Sequence, residues 1–429
     1  RSAGFYSERI AFDYPLAFLK EARLRVAAEW SPADLEVVAA LVTRAVKGGL
    51  APLEAVLQSV RQLRGAFSLA FLFTDHDDLL IGARLGSPLA VGFGEGEMFL
   101  GSDAIALAPF TSDVTYLEDG DVVALSHGGA RIFDGQGQPV ARPVQKSSAS
   151  ILLAEKGNYR HFMEKEIFEQ ASVLGDTLRS FADPATHRIG LPELPFELAD
   201  VPRLAAVACG TASYACLVGK YWFEHLAGLP VDWDIASEFR YREAPLVPGQ
   251  VGLFVSQSGE TADTLAAMRL ARDRGAKVLA ITNIMGSQAT RDSDAVLFTR
   301  AGLEIGVAAT KTFVAQVAAM YLVALRLAEI RGTLGFSEVS RLINELRAIP
   351  EKMEATIDSE SERMLEIAKL HYKQKFFLYL GRHIGLPVCL EGALKLKEVS
   401  YIPTDAYAAG EMKHGPIALL DESTPVVCV

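Results

Sequence analysis

The sequence predicts a multidomain protein, α+β in its first third and parallel α/β in the remainder. Three observations carry this. Six short apolar or alternating segments crowd between residues 66 and 126, punctuated by Gly, Asp and Ser, which is the spacing of an antiparallel sheet. From residue 201 strand-like runs alternate with helical ones, the pattern of a parallel sheet covered by helices. A second strand–helix start near residue 375 then repeats the first.

Each element follows from local chemistry. Ser31-Pro32-Ala33-Asp34 opens a helix to Val46, with Ser31 as cap and Pro32 at the first helical position. A second helix is expected at 51–63, then strands at 66–72, 79–83, 89–93, 98–102, 114–117 and 121–126. Residues 134–198 are polar and turn-rich, with Gly135-Gln136-Gly137-Gln138-Pro139 and a serine patch at 147–150 reading as linker, interrupted by an amphipathic helix at 159–181. Strands follow at 203–209, 231–235, 251–256, 277–282 and 295–298, with helices at 213–226, 261–274, 311–330 and 339–357. The second start is a strand at 375–380 and a helix at 388–401. Ala236-Ser237-Glu238-Phe239-Arg240 is echoed by Ala409-Gly410-Glu411-Met412-Lys413, and an apolar strand follows each, the later one at 425–429. If this is a duplication, its second copy breaks off early. A parallel sheet ending on a bare apolar strand leaves an open edge, so the native protein is expected to be longer.

Composition excludes several classes. Half the residues are hydrophobic, ample for several cores, and no run of about 18 uninterrupted apolar residues occurs. The nearest approach, 313–330, contains Gln316, Arg326 and Glu329 and reads as a buried helix rather than a membrane span. No basic-then-apolar leader opens the chain. Cys209, Cys216, Cys389 and Cys428 are scattered without CxxC spacing, which argues against a disulfide framework or zinc site and for a reducing cytoplasm. A net charge of −11 without a basic cluster argues against nucleic acid.

Two stretches carry chemistry. Ser256-Gln257-Ser258-Gly259-Glu260-Thr261 follows a buried strand and opens a helix. Free N–H groups and the helix dipole favour an anion there, hydroxyls add donors, and Gly259 allows close approach. An ordinary Ser/Thr cap with a tight turn explains the same letters. Cys209-Gly210-Thr211 is a second strand-to-helix turn that a parallel sheet would bring to the same crevice. The loop has neither Lys nor a carboxylate pair for Mg²⁺, which suits a monophosphate held by neutral donors rather than a nucleotide triphosphate. Farther on, Glu391, Lys395 and Glu398 share one helix face. That stripe reads either as a solvated face with two ion pairs or, if a carboxylate is desolvated, as a group able to move a proton beside a carbonyl. His414, in Lys413-His414-Gly415-Pro416, sits on a rigid turn and is a candidate for acid–base work in ring opening.

These residues resemble a known family. Residues 256–264, Glu304-Ile305-Gly306-Val307-Ala308-Ala309-Thr310-Lys311, residues 391–401 and Glu411-Met412-Lys413-His414-Gly415-Pro416 are similar to the isomerase half of glutamine–fructose-6-phosphate aminotransferase (isomerizing), also called glucosamine-6-phosphate synthase. Gln62-Leu63-Arg64-Gly65-Ala66-Phe67, Gly86-Ser87-Pro88 and Gly101-Ser102-Asp103 look like its glutaminase domain. The resemblance covers roughly residue 30 to the end. It implies an incomplete N-terminal-nucleophile glutaminase-like α+β domain at 1–133 and a linker with a helix at 134–198. Two flavodoxin-like parallel α/β sugar-isomerase (SIS) domains would follow at 199–358 and 359–429, the second truncated.

It also implies glutamine-dependent conversion of fructose 6-phosphate to glucosamine 6-phosphate, on the way to UDP-N-acetylglucosamine. The enzyme would be a cytoplasmic homodimer with a shared active site, without cofactor or metal. Carried over position by position, Thr211, Ser256, Gln257, Ser258 and Thr261 hold the phosphate, while Ala212, Val307 and Ala309 line the sugar pocket. Glu391 opens the helix motif and joins the substrate-binding set. Glu398 shuttles a proton between sugar carbons with Lys395 nearby, and His414 assists ring opening in a neighbouring subunit.

The departures matter as much. The family's glutaminase uses an N-terminal cysteine, but residue 1 is Arg1 and no cysteine precedes Cys209. Its Arg-Trp-Ala-Thr-His-Gly and His-Asn-Gly elements are absent, and residues 1–30 match nothing. Asp34 aligns with the carboxylate that binds the glutamine amino group, and is equally a first-turn helix carboxylate. Ala212 and Ala309 stand where serine is usual, each losing a hydroxyl donor worth about 0.5–1.5 kcal/mol. The family's Schiff-base lysine would lie beyond Val429. Two rivals remain open: an aminosugar- or fructosamine-phosphate deglycase or deaminase on the same double domain, and a non-catalytic sugar-phosphate-binding regulator. The strands at 66–126 argue against the first, and the lack of a basic helix pair against the second.

Overall fold

The computed structural model describes residues 22–26, 32–65, 67–102, 104–108, 110–146, 156–183, 186, 188–191 and 197–429. Residues 1–21 and 27–30, the cap residue Ser31, Asp103 and the serine patch 147–150 lie outside the described residues, as does the side chain of Asp34. The chain divides into two compact units, Arg1–Glu155 and Lys156–Val429.

The first unit runs β1 (Ala22–Val26), α1 (Pro32–Lys47), α2 (Pro52–Val60), β2 (Phe67–Phe73), β3 (Leu80–Leu85), β4 (Ala90–Phe93), β5 (Met98–Gly101), α3 (Ala104–Leu107), β6 (Asp113–Tyr116), β7 (Val122–Ser126), β8 (Gly129–Phe133), β9 (Pro139–Val140) and β10 (Gln145–Lys146). Two antiparallel sheets result, ordered β1-β2-β3-β7-β8-β9 and β10-β6-β4-β5. Val38 and Val42, one turn apart on α1, meet Leu69, Phe71 and Phe73, alternate residues on one face of β2. The two periodicities of 3.6 and 2 thus aim both apolar sets at one core. The glycine-rich stretch after Asp134, which reads as linker, closes a hairpin: the Asp134 carboxylate accepts the N–H of Gln136 and Gln138 at 2.8 and 2.9 Å, and β9 pairs with β8.

The second unit runs α4 (Phe162–Phe181), β11 (Leu204–Ala208), α5 (Gly210–Ala227), β12 (Val231–Ile235), α6 (Ala236–Phe239), β13 (Val251–Ser256), α7 (Ala262–Asp273), β14 (Lys277–Thr282), α8 (Gln288–Asp292), β15 (Ala295–Phe298), α9 (Lys311–Ile330), α10 (Phe336–Arg347), α11 (Ile349–His371), β16 (Phe377–Gly381), α12 (Gly385–Ser400), β17 (Thr404–Ala408) and β18 (Val426–Cys428). Its larger sheet is parallel throughout, ordered β12-β11-β13-β14-β15. β11 and β13 are buried along their whole length, as expected of central parallel strands covered on both faces. α9 is long and apolar enough to cross a membrane by length and composition, yet most of it is buried against α5, α4 and the sheet.

The smaller sheet, β17-β16-β18, is also parallel and has the same order as β12-β11-β13. Each is built as strand, long helix, strand, short helical turn, strand, so the echo between residues 236–240 and 409–413 marks a repeated fold.

Several helix boundaries differ from the sequence expectation, and proline accounts for two of the differences. The single helix expected at 339–357 is α10 and α11, broken at Ala348. Pro350 has no N–H to continue α10 and restricts the residue before it, so the chain restarts with Pro350 in the first turn of α11. α12 begins at Gly385 rather than at residue 388, because Pro387 falls in the first turn, where no N–H partner is needed.

Candidate functional site

In the larger sheet β11 and β13 are neighbours in register, with Ala208 beside Val255. Their carboxyl ends therefore deliver Cys209-Gly210-Thr211 and Ser256–Thr261 side by side, and the helices that follow, α5 and α7, start there. Two helix N-termini at one crevice give outward N–H groups and positive dipole ends. A cavity of about 200 Å³ opens at this place, lined by Thr211, Ala212, Ser256, Gln257, Ser258, Thr261, Val307, Ala309 and Lys395 among others.

The loop is held by its own hydroxyls. Ser256 Oγ accepts the Gly259 N–H at 3.1 Å and lies 3.0 Å from Thr261 Oγ1, and Ser258 Oγ accepts the Glu260 N–H at 3.1 Å. Both serines thus spend acceptor capacity on the backbone; Ser258 keeps its O–H to donate to a ligand, while the Ser256 and Thr261 hydroxyls share one hydrogen bond between them. Gly259 has a left-handed φ of +66°, and a Cβ there would collide with Ser287 Oγ and come within 2.9 Å of Thr282 Oγ1. Only glycine fits that turn. The Glu260 carboxylate turns away from the cavity and accepts the Gln288 N–H at 2.7 Å, so the seat presents neutral donors.

The opposite wall comes from the repeated half. α12 packs on α5 and carries Glu391, Lys395 and Glu398 along one face. Lys395 Nζ lies 3.3 Å from Glu391 Oε1 and 2.5 Å from Glu398 Oε2, and it donates to Thr211 Oγ1 at 3.1 Å. Thr211 in turn donates to Glu391 Oε1 at 3.0 Å. The desolvated carboxylate of the stripe is Glu391, whose side chain is 8% exposed against 36% for Glu398. Burial pushes the Glu391 carboxyl up to about 7, against the pull of Lys395 and Thr211. Its second oxygen is buried with no hydrogen-bond partner. Burial, with Glu391 and Glu398 nearby, also raises Tyr214 on α5.

Thus Thr211, Ala212, Ser256, Gln257, Ser258, Thr261, Val307, Ala309 and Lys395 line one cavity, and Glu391 and Glu398 join it through Lys395. His414 closes the exposed turn Ala409–His414, before Gly415 at φ +134° and Pro416, and is itself exposed. Asp34 belongs to the first turn of α1, in the other unit.

Cys209 lines the cavity from the turn that the sequence placed at this crevice, and three further lining residues, Val255, Thr312 and Gln316, were not singled out as site residues. Burial raises the Cys209 thiol. Gln316 is 2% exposed, and its Oε1 is buried without a partner. The signal for it was present, since Gln316 is the first polar residue interrupting the most apolar run of the chain.

Comparison with known proteins fits this geometry. The SIS domain family matches residues 197–326 and 370–429, the two repeated halves. The chain is 51% identical over 396 residues to the glutamine–fructose-6-phosphate aminotransferase (isomerizing) of Brucella abortus biovar 1, covering 92% of the chain and 65% of that protein. It is 52% identical over 400 residues to the same-named protein of Bradyrhizobium diazoefficiens, covering 93% and 66%. The chain thus spans about two thirds of the length of these relatives. Among solved structures, the C-terminal domain of glucosamine-fructose-6-phosphate aminotransferase from Francisella tularensis superposes with a TM-score of 0.61 at 36% identity, covering 64% of this chain and 77% of that one. The chain belongs to the glutamine–fructose-6-phosphate aminotransferase (isomerizing) family.

Proposed function

We propose that this chain carries the sugar-phosphate site of an enzyme that converts fructose 6-phosphate and glutamine to glucosamine 6-phosphate and glutamate. The observation that carries the reading is the facing of two chemistries across one cavity. A seat of neutral donors at residues 256–261 and Thr211 lies on one side, and the Glu391–Lys395–Glu398 ladder on the other. In this reading Thr211, Ser256, Gln257, Ser258 and Thr261 hold the phosphate, and Ala212, Val307 and Ala309 shape the sugar pocket.

Isomerisation removes a proton from C1 of the sugar and returns one to C2. Glu398 is the carboxylate assigned to carry it, with Lys395 holding Glu398 by the 2.5 Å ion pair. Glu391 orients Thr211 and Lys395. His414, exposed on its turn, is assigned to ring opening in the site of a second subunit, which makes the working enzyme a homodimer with shared sites. The first unit, with its two antiparallel sheets, is assigned to the glutaminase part, and Asp34 to the glutamine amino group. The family pattern and the two-thirds coverage of relatives support the assignment to the complete protein.

The test is direct. The complete protein, given fructose 6-phosphate and glutamine, is expected to form glucosamine 6-phosphate and glutamate; no amino sugar would overturn the proposal. Glu398→Gln is expected to keep sugar-phosphate binding and lose turnover by two to four orders of magnitude. Unchanged turnover removes Glu398 from the mechanism.

A further inference from the structure

The loop between β15 and α9, residues 299–310, carries Val307 and Ala309 into the cavity, and it does not stand by itself. Glu166, on α4, is 2% exposed. Its Oε1 accepts the N–H of Ile305 at 2.5 Å and of Gly306 at 2.9 Å, and its Oε2 lies 3.1 Å from the same Gly306 nitrogen. A Cβ on Gly306 would collide with Glu166 Oε2, so the carboxylate occupies the space that a side chain would need.

One turn along α4, Glu169 pairs with the 4%-exposed Lys311 at 2.7 Å and also with Lys165 at 3.4 Å. From within the loop, Glu304 accepts the N–H of Thr310 at 2.8 Å and of Thr312 at 3.2 Å, and the Thr312 hydroxyl also donates to it. Burying a carboxylate against backbone amides is costly unless those bonds are wanted. Burial and nearby Glu304 raise the Glu166 carboxyl; the Gly306 and Ile305 amides and Lys311 hold it down. Glu166 and Glu169 on α4 and Glu304 in the loop thus fix a backbone that presents only Val307 and Ala309 to the cavity.

We infer that Glu166 is a positioning residue: it fixes the loop that shapes the sugar end of the pocket and so sets affinity for the sugar, without touching the phosphate seat. The inference rests on the pocket assignment of the preceding section. It is tested in the complete protein with Glu166→Gln and Glu166→Ala, by titrating fructose 6-phosphate and inorganic phosphate separately and by steady-state kinetics. Glu166→Ala is expected to raise the dissociation constant and KM for fructose 6-phosphate at least tenfold. Inorganic phosphate affinity should change less than twofold, and kcat less than threefold. Glu166→Gln keeps the shape and one acceptor oxygen, and is expected to recover part of the loss; it also decides the matter if the alanine variant does not fold. Wild-type fructose 6-phosphate affinity in Glu166→Gln, and in any folded Glu166→Ala, overturns the inference alone, as does an equal loss of phosphate affinity. Failure of the unmodified protein to bind fructose 6-phosphate overturns the pocket assignment, and this inference with it.

Discussion

Glu391 concentrates the tension of the site, because folding buries an acid and then surrounds it with Thr211 and Lys395. Its carboxyl sits near 7 when folded, against 4.5 as reference. Between those values the folded state holds a proton that the unfolded chain has released, so rising pH favours unfolding, and the penalty is complete above about 7. Glu391→Gln removes that penalty. Its melting temperature relative to the unmodified protein is therefore expected to be higher at pH 8 than at pH 5, measured by scanning calorimetry; no pH trend in the difference would contradict the burial argument. Gly259→Ala is the opposite case. A left-handed φ and the collision with Ser287 make it costly, by about 1–3 kcal/mol, and thermal unfolding with phosphate titration should show lower stability and weaker binding together. At this scale the sequence was informative wherever a residue type has one reason to be present. Gly259 and the Glu391–Lys395–Glu398 spacing were legible. That Glu391 rather than Glu398 is the desolvated acid was not, because burial depends on α5 packing across α12, which helical spacing does not encode.

Elements explain why the site forms where it does. Two parallel strands in register end together, and each hands its chain to a helix whose first turn has spare N–H groups. The seat is thus a property of β11, β13, α5 and α7 jointly, and the hydroxyls only refine it. Ser256→Ala removes the acceptor for the Gly259 N–H and the contact with Thr261. One or two hydrogen bonds of about 0.5–1.5 kcal/mol each correspond to a roughly two- to 160-fold weaker phosphate affinity, readable by isothermal titration, while α7 itself should remain helical. Unaltered affinity would show that the backbone suffices. The order of strands and helices was legible because buried parallel strands read as apolar runs with turn residues between them. Boundaries set by proline were legible only in part. The helix expected at 388–401 starts before Pro387, which is tolerated in a first turn, whereas Pro350 breaks the helix expected at 339–357. The contribution of α4 was hidden altogether, since nothing along the sequence ties residue 166 to residues 305 and 306.

At the scale of the whole chain, the two units have separate cores. Val38, Val42, Leu69, Phe71 and Ile81 anchor one, while Ala206, Val255, Ile281, Leu322 and Leu325 anchor the other. Units with their own cores unfold as their own cooperative blocks. The candidate seat and ladder lie wholly in the second unit, and its repeated half supplies the charged wall that the first half lacks. A ligand that binds only the folded second unit stabilises that block alone. At a hundred times its dissociation constant, fructose 6-phosphate would contribute about 2.7 kcal/mol, a rise of roughly 5 °C for a block of this size. Scanning calorimetry is therefore expected to resolve two transitions, of which fructose 6-phosphate moves one and leaves the other in place. Ser256→Ala should reduce that shift without touching the second transition. A single transition that moves as a whole would mean that the units share their stability, and a shift confined to the block cored by Val38 and Phe71 would put the sugar site in the wrong unit.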